Sequence, residues 1–362
     1  MPFPAPRAAC EIIAEAGVNH DGDVVVAMAL VEAAASAGAD TVKFQTFDPE
    51  SLVTSATPSA AYQRAAGEGA TQADMLRRLA LPRDAVKRLA RVAEDAGIAF
   101  LSTPFDLPSA RFLVEEIGMT RIKVGSGDLT NLPFLLALAR MGRPILLSTG
   151  MATLAEVEEA LGVIAFAHLA AVAERPSLNA FAAAREAPEA RQIIAETVVM
   201  QCTTQYPAPH DQANLRVIDA YRDLGVRPGY SDHTLGIDIA LAAVARGAEV
   251  IEKHLTLSRD RTGPDHRASL EPTELAALVA GARRVVAALG APDKAPVPAE
   301  RENLAVARRV LVAARPIAAG SVLTEEDLTA KRAGRGMEPG RLWDLVGRPA
   351  SRAYAADEPI RE

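Results

Sequence analysis

Two lysines stand inside apolar, strand-like runs of this sequence, and hydroxyl residues stand close to the ends of similar runs. Lys43 lies in DTVKFQT and Lys123 in RIKVGSG, and the hydroxyl residues are Thr103, Ser126 and Ser148. Ammonium groups and small hydroxyl donors suit phosphate and carboxylate groups. A single strand lysine is as often structural as functional. Two lysines at matching positions, however, predict an anion-binding site.

Two histidines lie in the last two strand-like runs. His233 ends RPGYSDH, and His254 lies within EVIEKHLTL. His233 and His254 at the ends of adjacent strands can share a metal ion through neutral imidazole nitrogens. With no cysteine nearby in the sequence, the pair does not resemble a structural zinc site, and open positions would be filled by water and substrate oxygens. Either histidine alone would more often be a hydrogen-bonded core residue. Asp21 and Asp265, on opposing loops, are candidate acid–base groups.

Eight apolar runs alternate with alanine-rich helical stretches such as 24–38 and 155–172. Parallel neighbours need helical crossovers, so this pattern predicts an α/β barrel of eight parallel strands. An open doubly wound sheet is the alternative, but no Gly-x-Gly-x-x-Gly motif follows the first run. The carboxyl ends of barrel strands meet at one rim, which would bring the residues above together. The runs are 11–17, 40–46, 98–105, 121–127, 144–150, 197–203, 227–233 and 249–257.

The organisation of the chain changes after the eighth strand–helix unit. We expect a barrel domain over residues 1–290, a proline-rich linker over 291–307 and a small β-rich domain over 308–362. Trp343 is expected to anchor the core of the small domain. Residues 174–196 lengthen the fifth crossover and predict an additional helical excursion.

The composition disfavours several classes of function. Hydrophobic residues make up 49% and charged residues 23% of the 362 residues, which is typical of a globular protein with a large core. A net charge of −7 disfavours nucleic-acid binding, which depends on neutralising phosphates. Two cysteines cannot form a disulfide scaffold, and with no visible export signal they favour a cytoplasmic protein. No apolar stretch is long enough for a membrane span.

At these residues the chain resembles the sialic acid (N-acetylneuraminate) synthase family, which includes the legionaminic and pseudaminic acid synthases. The resemblance spans nearly the whole chain, and its motifs occur in the family's order. It implies a TIM barrel followed by a small antifreeze-like (SAF) domain at the C-terminus. The motifs are AEAGVNHDG, VKFQTF, STPFD, KVGSGD, STGM, CTTQYPAP, GYSDHT, EKHLTL and GPDHRASLEP.

The resemblance implies that phosphoenolpyruvate condenses with the open-chain aldehyde of an N-acetylated aminosugar, with release of phosphate. His233 and His254 would hold a divalent metal, Mn²⁺ or Mg²⁺, that polarises the aldehyde. A carboxylate such as Asp21 would help to activate the water that adds to C2. The residues implied to bind phosphoenolpyruvate are Lys43, Thr103, Lys123, Ser126, Ser148 and Ser231.

The resemblance also implies where the sugar binds. Gln45, Asp128, Tyr206 and Asp265 would contact the sugar or the reacting water. Arg332, in KRAGRG, would reach from the small domain of a partner chain to the acetamido group, which implies a domain-swapped homodimer. Shorter or neutral side chains at Asp21, Asp128 and Gln205 set the sugar end apart from the common family pattern. VKFQ and STPF favour the N-acetylneuraminate or N,N'-diacetyllegionaminate product over pseudaminic acid, which stays an alternative.

Two other classes of function compete with this interpretation. The first is a Schiff-base aldolase with Lys123 or Lys253 as the nucleophile, which would need a lysine pKa lowered by burial. The second is a non-catalytic sugar-binding barrel. The pair of histidines and the two lysines of the predicted anion-binding site, Lys43 and Lys123, favour the enzyme.

Overall fold

Eight parallel strands form the centre of the first of two compact units, Met1–Gly290 and Ala291–Glu362. The computed structural model describes residues 10–54, 57–58, 71–171 and 173–361. The strands are hydrogen-bonded in the order β3-β2-β1-β8-β7-β6-β5-β4, and β3 lies beside β4, which makes the sheet a nearly closed barrel. The strands are β1 Glu11–Gly17, β2 Thr41–Thr46, β3 Ala99–Pro104, β4 Ile122–Val124, β5 Ile145–Ser148, β6 Val198–Cys202, β7 Arg227–Asp232 and β8 Val250–His254.

Each strand lies within one of the eight predicted runs, and the barrel prediction is confirmed. The strands are almost completely buried on both faces, as expected of a parallel sheet covered by helices. Alternate residues point into the barrel and out towards the helices. The inward positions form a middle layer of apolar side chains, namely Ile13, Leu101, Leu146, Val198, Met200 and Val250. This apolar layer separates two polar layers, one at each end of the barrel.

Helices cover the outside of the barrel and connect its strands. Side-chain caps start many of them, for example Asp23 and the Thr153–Glu156 capping box. In the described residues of the first unit the α-helices are Val24–Ser36, Pro49–Leu52, Gln72–Leu79, Arg83–Asp95, Leu107–Arg111, Leu132–Ala139, Leu154–Leu169, Leu178–Glu186, Ala190–Glu196, Val217–Asp223, Asp238–Ala245 and Pro272–Leu289. Within the described part of the chain, no helix is both long and apolar enough to cross a membrane.

The lengthened fifth crossover contains two additional helices, Leu178–Glu186 and Ala190–Glu196, as the sequence predicts. The first packs against Leu154–Leu169, where the rings of Phe166 and Phe181 meet edge to face with centroids 5.2 Å apart. Gly162 allows this close approach, since a Cβ there would lie 2.6 Å from the carbonyl oxygen of Phe181. The excursion therefore thickens the wall outside the barrel.

The second unit is built around two antiparallel strands, β9 Val310–Ala313 and β10 Leu328–Lys331. Part of the predicted linker is helical, at Arg301–Ala307. The expectation for Trp343 is wrong, because its side chain is 74% exposed. In the short helix Leu342–Leu345 the two leucines lie three residues apart and face the core, so Trp343 points to solvent. The core residues are Leu311, Ala313, Ile317, Leu323, Leu328, Leu345, Ala350, Tyr354 and Ile360.

Candidate active site

A cavity of about 680 Å³ opens among the carboxyl ends of the barrel strands. All eight strands contribute an inward-facing side chain to its wall, as the alternation of strand residues requires. These side chains are Glu15, Lys43, Thr103, Lys123, Ser148, Cys202, Ser231 and Glu252. A second cavity of about 650 Å³ lies beside the amino end of β3, at Ile98–Phe100. We place the candidate site in the first, because only there do the predicted chemical groups converge.

The two predicted lysines lie beside two carboxylates, those of Glu15 and Glu252, that were not predicted from the sequence. Lys43 Nζ lies 2.7 Å from a carboxylate oxygen of Glu15 and 3.6 Å from one of Glu252. Lys123 Nζ lies 3.4 Å from Glu252. All four side chains are buried. The predicted anion site is therefore a row of alternating charges, Glu15–Lys43–Glu252–Lys123, rather than a cluster of cations.

The row perturbs the pKa values of its members in different directions. Burial raises the pKa of Glu15 to about 7, and Lys43 opposes this only in part. Burial also penalises ionised Glu252, but Lys123 and Lys43 outweigh it and lower the pKa to about 2. Burial lowers the pKa of Lys123, whereas the facing carboxylates raise the pKa of Lys43 in spite of its burial. Glu15 is thus the carboxyl group of the row that changes its charge near neutral pH.

Hydroxyl groups surround this row, and all six residues predicted to bind phosphoenolpyruvate line the cavity. The Thr103 hydroxyl accepts a hydrogen bond from Lys43 at 3.1 Å, and the Ser231 hydroxyl donates to Glu252 at 3.0 Å. The Ser126 hydroxyl accepts from the backbone N–H of Gly150 at 2.9 Å. The Ser148 hydroxyl is buried without a hydrogen-bond partner in the described residues. An unpartnered buried hydroxyl in a cavity wall is available to a ligand.

The two predicted histidines face each other at the end of the same cavity, with ring centroids 5.5 Å apart. His233 Nδ1 donates to the carbonyl oxygen of Thr203 at 2.8 Å, which fixes the proton on Nδ1 and leaves Nε2 as a lone-pair donor. His254 Nδ1 is buried with no hydrogen-bond partner in the described part of the chain, 3.9 Å from a carboxylate oxygen of Asp265. Burial lowers the pKa of His254 well below its ordinary value and keeps its imidazole neutral.

These donors fit a divalent metal bound by two imidazoles. An anchored Nδ1 and a neutral partner ring are the features that metal-binding histidines show in proteins. Among the described residues no three histidine, cysteine, aspartate or glutamate side chains cluster in a way that could hold a metal. The remaining positions would then be filled by water and substrate oxygens, as Mg²⁺ and Mn²⁺ permit.

The residues predicted to bind the sugar divide into two groups. Gln45 and Tyr206 line the cavity; the Tyr206 ring stacks on His233 with centroids 4.0 Å apart, and Gln45 donates to Glu15 at 3.4 Å. Asp128 is half-buried in the turn Ser126–Asp128, where Asn131 donates to it at 3.3 Å, and it is not part of the cavity wall. Arg332 is exposed in the second unit.

The two predicted acid–base aspartates also lie outside the cavity wall. Asp21 is held by Arg261 and His266, each with a nitrogen 3.1 Å from a carboxylate oxygen. Asp265 is close to His254, as noted above. The structure thus brings Glu15 and Glu252 into the cavity as carboxylates and places Asp21 in an ion pair beside it.

One sequence signal could have identified Glu15 and Glu252. Each is a charged residue inside an otherwise apolar strand, and Glu252 shares the inward parity of His254 two residues later. An apolar part of the cavity wall, formed by residues from separate loops and helices, was also not predicted from the sequence. This apolar wall consists of Leu52, Val53, Met75, Leu76, Phe105 and Met151.

The chain is similar over most of its length to known proteins. The sequence pattern of the NeuB family matches residues 30–294, and that of the SAF domain matches residues 308–362. The chain is 42% identical over 353 residues to N,N'-diacetyllegionaminic acid synthase of Campylobacter jejuni, which covers 97% of this chain and 98% of that protein. It is 38% identical over 340 residues to the protein of the same description from Legionella pneumophila, with 93% and 89% covered.

A solved structure shows the same likeness. The N-acetylneuraminic acid (sialic acid) synthetase of Leptospira borgpetersenii, in complex with citrate, superimposes with a TM-score of 0.66. The two sequences are 31% identical, and the match covers 82% of this chain and 90% of that chain.

Proposed function

Because the chain belongs to the NeuB family and is therefore an enzyme of the sialic acid synthase type, we propose that it joins phosphoenolpyruvate to an open-chain N-acetylated aminosugar. The products are a nonulosonic acid and phosphate. The observation that carries the proposal is the convergence, in one cavity, of the lysine–glutamate row with the histidine pair. This convergence would provide sites for an anion and for a metal ion side by side.

Phosphoenolpyruvate would bind along the charge row. Its carboxylate and phosphate oxygens are acceptors for Lys43 and Lys123, which hold point charges suited to such groups. The unpartnered hydroxyl of Ser148 offers a further donor. The buried position of the lysines keeps water away from them and strengthens these contacts.

His233 and His254 would hold Mn²⁺ or Mg²⁺, and the metal would polarise the aldehyde oxygen of the acceptor as a Lewis acid. Tyr206 would help to orient the two histidines. Its ring stacks on His233 and meets the ring of His254 edge to face, with the Tyr206 and His254 centroids 5.6 Å apart. The C3 atom of phosphoenolpyruvate forms the new bond to the aldehyde carbon. The former aldehyde oxygen takes up a proton, and water adds to C2 and gives up a proton. The carbon–oxygen bond to phosphate then breaks as the C2 hydroxyl loses its proton to the phosphate and becomes the ketone.

The apolar wall favours an acceptor that carries methyl groups in place of hydroxyl groups. Its six side chains line the same cavity as the polar row, and Met151 is 73% exposed. The acetamido methyl groups and the C6 methyl group of 2,4-diacetamido-2,4,6-trideoxymannose would bury apolar surface against this wall. N-Acetylmannosamine would place hydroxyl groups there. We therefore propose N,N'-diacetyllegionaminate as the product, in keeping with the names of the two relatives described above.

Arg332 is proposed to complete the sugar site from a second copy of the chain. Its side chain is exposed, and no ion pair joins it to another described residue. A free guanidinium with five donors suits the carbonyl oxygen of an acetamido group. The proposed assembly is a homodimer, and light scattering of the purified protein tests it.

One observation favours the Schiff-base alternative, namely the lowered pKa of Lys123, to which burial contributes most. Lys253, the other candidate nucleophile, makes an ion pair with Asp232 outside the cavity wall. Borohydride treatment in the presence of pyruvate separates the two mechanisms. We expect no covalent adduct by mass spectrometry, and an adduct on Lys123 would contradict the proposed condensation.

The direct test of the proposed function is phosphate release from phosphoenolpyruvate. We expect release only when phosphoenolpyruvate, a divalent metal and an N-acetylated aminosugar are all present. Release without the aminosugar would indicate a phosphatase. No release with a panel of N-acetylated hexosamines would favour the non-catalytic sugar-binding barrel.

A further inference from the structure

A completely buried ion pair lies directly behind the two histidines of the candidate site. Asp232 precedes His233 and Lys253 precedes His254 in the sequence. Lys253 Nζ donates to Asp232 Oδ2 at 2.8 Å, and neither side chain has measurable solvent exposure. Because strand residues alternate, both side chains point away from the cavity into the wall between barrel and helices.

Every polar group of this pair has a partner. Asp232 Oδ1 accepts from the backbone N–H of Thr234 at 2.8 Å and from the hydroxyl of Tyr230 at 3.2 Å. Lys253 Nζ also donates to the carbonyl oxygen of Thr234. Lys253 therefore contacts both residues that flank His233, from the position next to His254.

The hydrogen-bonded ladder between β7 and β8 stops short of the two histidines. The pairing of β7 with β8 runs from Gly229–Val250 to Asp232–Lys253 and ends there. Each histidine stands one residue beyond the last pair of this ladder, although His254 is still paired with Glu15 of β1 and the carbonyl oxygen of His233 accepts from the N–H of Ala208 at 2.8 Å. The ion pair thus joins β7 and β8 at the point where the ladder between them ends and the two histidines follow.

Energetics argue that the pair is not present for stability alone. Removing two charges from water costs several kcal/mol per ion, and apolar replacement of a buried pair is often neutral or stabilising. The position that the pair specifies is therefore the role to test.

We propose that Asp232 and Lys253 are positioning residues, which hold His233 and His254 at the separation that a divalent metal requires. This inference rests on the proposed function, because it presumes the metal site. It assigns to the two residues no contact with substrate or metal. Their effect is transmitted through the backbone on either side of His233 and through the strand end that carries His254.

The test compares two double variants of the full chain. Asp232→Leu/Lys253→Met replaces the pair with apolar side chains and leaves no unpaired charge. Glu11→Gln/Arg121→Met is the matched control, because Arg121 and Glu11 form a buried pair in the polar layer at the opposite end of the barrel. Binding of Mn²⁺ is measured by calorimetry and by the electron paramagnetic resonance spectrum of the bound ion, and folding by thermal unfolding.

We expect Asp232→Leu/Lys253→Met to remain folded and to bind Mn²⁺ roughly 10- to 100-fold more weakly, as is usual when a group that orients a metal ligand is lost. The control is expected to keep the affinity and spectrum of the unmodified protein, whatever its melting temperature. Asp232→Asn keeps the shape of the side chain but only one of its two acceptor oxygens; it provides a second variant and should also weaken binding.

Equal Mn²⁺ affinity and an unchanged spectrum in a folded Asp232→Leu/Lys253→Met variant would overturn the inference and leave the proposed function intact. If that variant does not fold, the same readouts on Asp232→Asn decide the question, and unchanged binding overturns the inference. Failure of the unmodified protein to bind Mn²⁺ would overturn the metal site itself and this inference with it.

Discussion

Replacing Glu15 by glutamine removes the carboxyl group of the charge row that changes its charge near neutral pH. The carboxyl group lies 2.7 Å from Lys43, yet burial raises its pKa from 4.5 to about 7. Glutamine has the same shape and never ionises. The metal-free protein, kept in a chelator, is the sample for this experiment, so that only the groups of the chain titrate.

The sign of the effect follows from proton binding. Between pH 4.5 and about pH 7 the folded protein holds a proton on Glu15 that the unfolded chain has lost. The contribution of Glu15 to stability is therefore fully present below pH 4.5 and is lost as the pH rises through the folded pKa. At about 1.4 kcal/mol per pH unit, the free energy of unfolding falls by ~3 kcal/mol over this window.

Glu15→Gln should remove this loss. Between pH 4.5 and pH 8, the free energy of unfolding of the variant should rise by ~3 kcal/mol relative to that of the unmodified protein. Unfolding entropy of about 2.1 cal/mol/K per residue then predicts that the difference in melting temperature changes by roughly 5 °C over this window for a unit of this size. Thermal unfolding followed by circular dichroism at several pH values measures it.

Glu11→Gln provides the control. Glu11 is also buried in the barrel, but Arg121 overcomes the effect of burial and lowers its pKa. Its stabilising contribution is present above the unfolded pKa and is lost as the pH falls, so the control difference should stay constant from pH 6 to pH 8. If the curves of Glu15→Gln and the unmodified protein run parallel over that range as well, Lys43 keeps Glu15 ionised and the reasoning is wrong.

Three further predictions concern metal, sugar and acceptor. His233→Ala should abolish Mn²⁺ binding and metal-dependent phosphate release without unfolding the protein. His168→Ala, at an exposed histidine, should retain both. Full activity of His233→Ala after stringent chelation would refute the metal assignment. Arg332→Ala should raise the KM of the sugar more than that of phosphoenolpyruvate, and equal effects would contradict the reach of Arg332 to the sugar. Mass spectrometry should show faster product formation from 2,4-diacetamido-2,4,6-trideoxymannose than from N-acetylmannosamine, and the reverse order would refute the role given to the apolar wall.

The barrel was predictable because its strands are buried on both faces. An apolar run then marks a strand without help from alternation, and every one of the eight runs contains a strand. The ends of the runs were less predictable. The run 121–127 contains only Ile122–Val124 as strand, because the chain turns into a short helical turn at Ser126–Asp128.

The candidate site was predictable where chemistry and strand position coincide, as for Lys43, Lys123, His233 and His254. Glu15 and Glu252 were missed because a glutamate in a strand gives no hint of its partner, and their partners come from other strands. The apolar wall was missed for the same reason, since its residues come from separate loops and helices. Trp343 was misjudged because size alone does not decide which face of a helix a residue occupies.

Charge balance connects the carboxylates with the proposed metal. Two lysines and two glutamates in the cavity sum to zero when Glu15 is ionised, and burying a multiply charged anion in a neutral site is costly. Phosphoenolpyruvate carries a carboxylate and a phosphate with a charge of about −2. A proton on Glu15 and a divalent ion beside His233 and His254 together offset that charge. The glutamates therefore balance the charge of the lysines, and the proposed metal would make the cavity positive for binding of the anion.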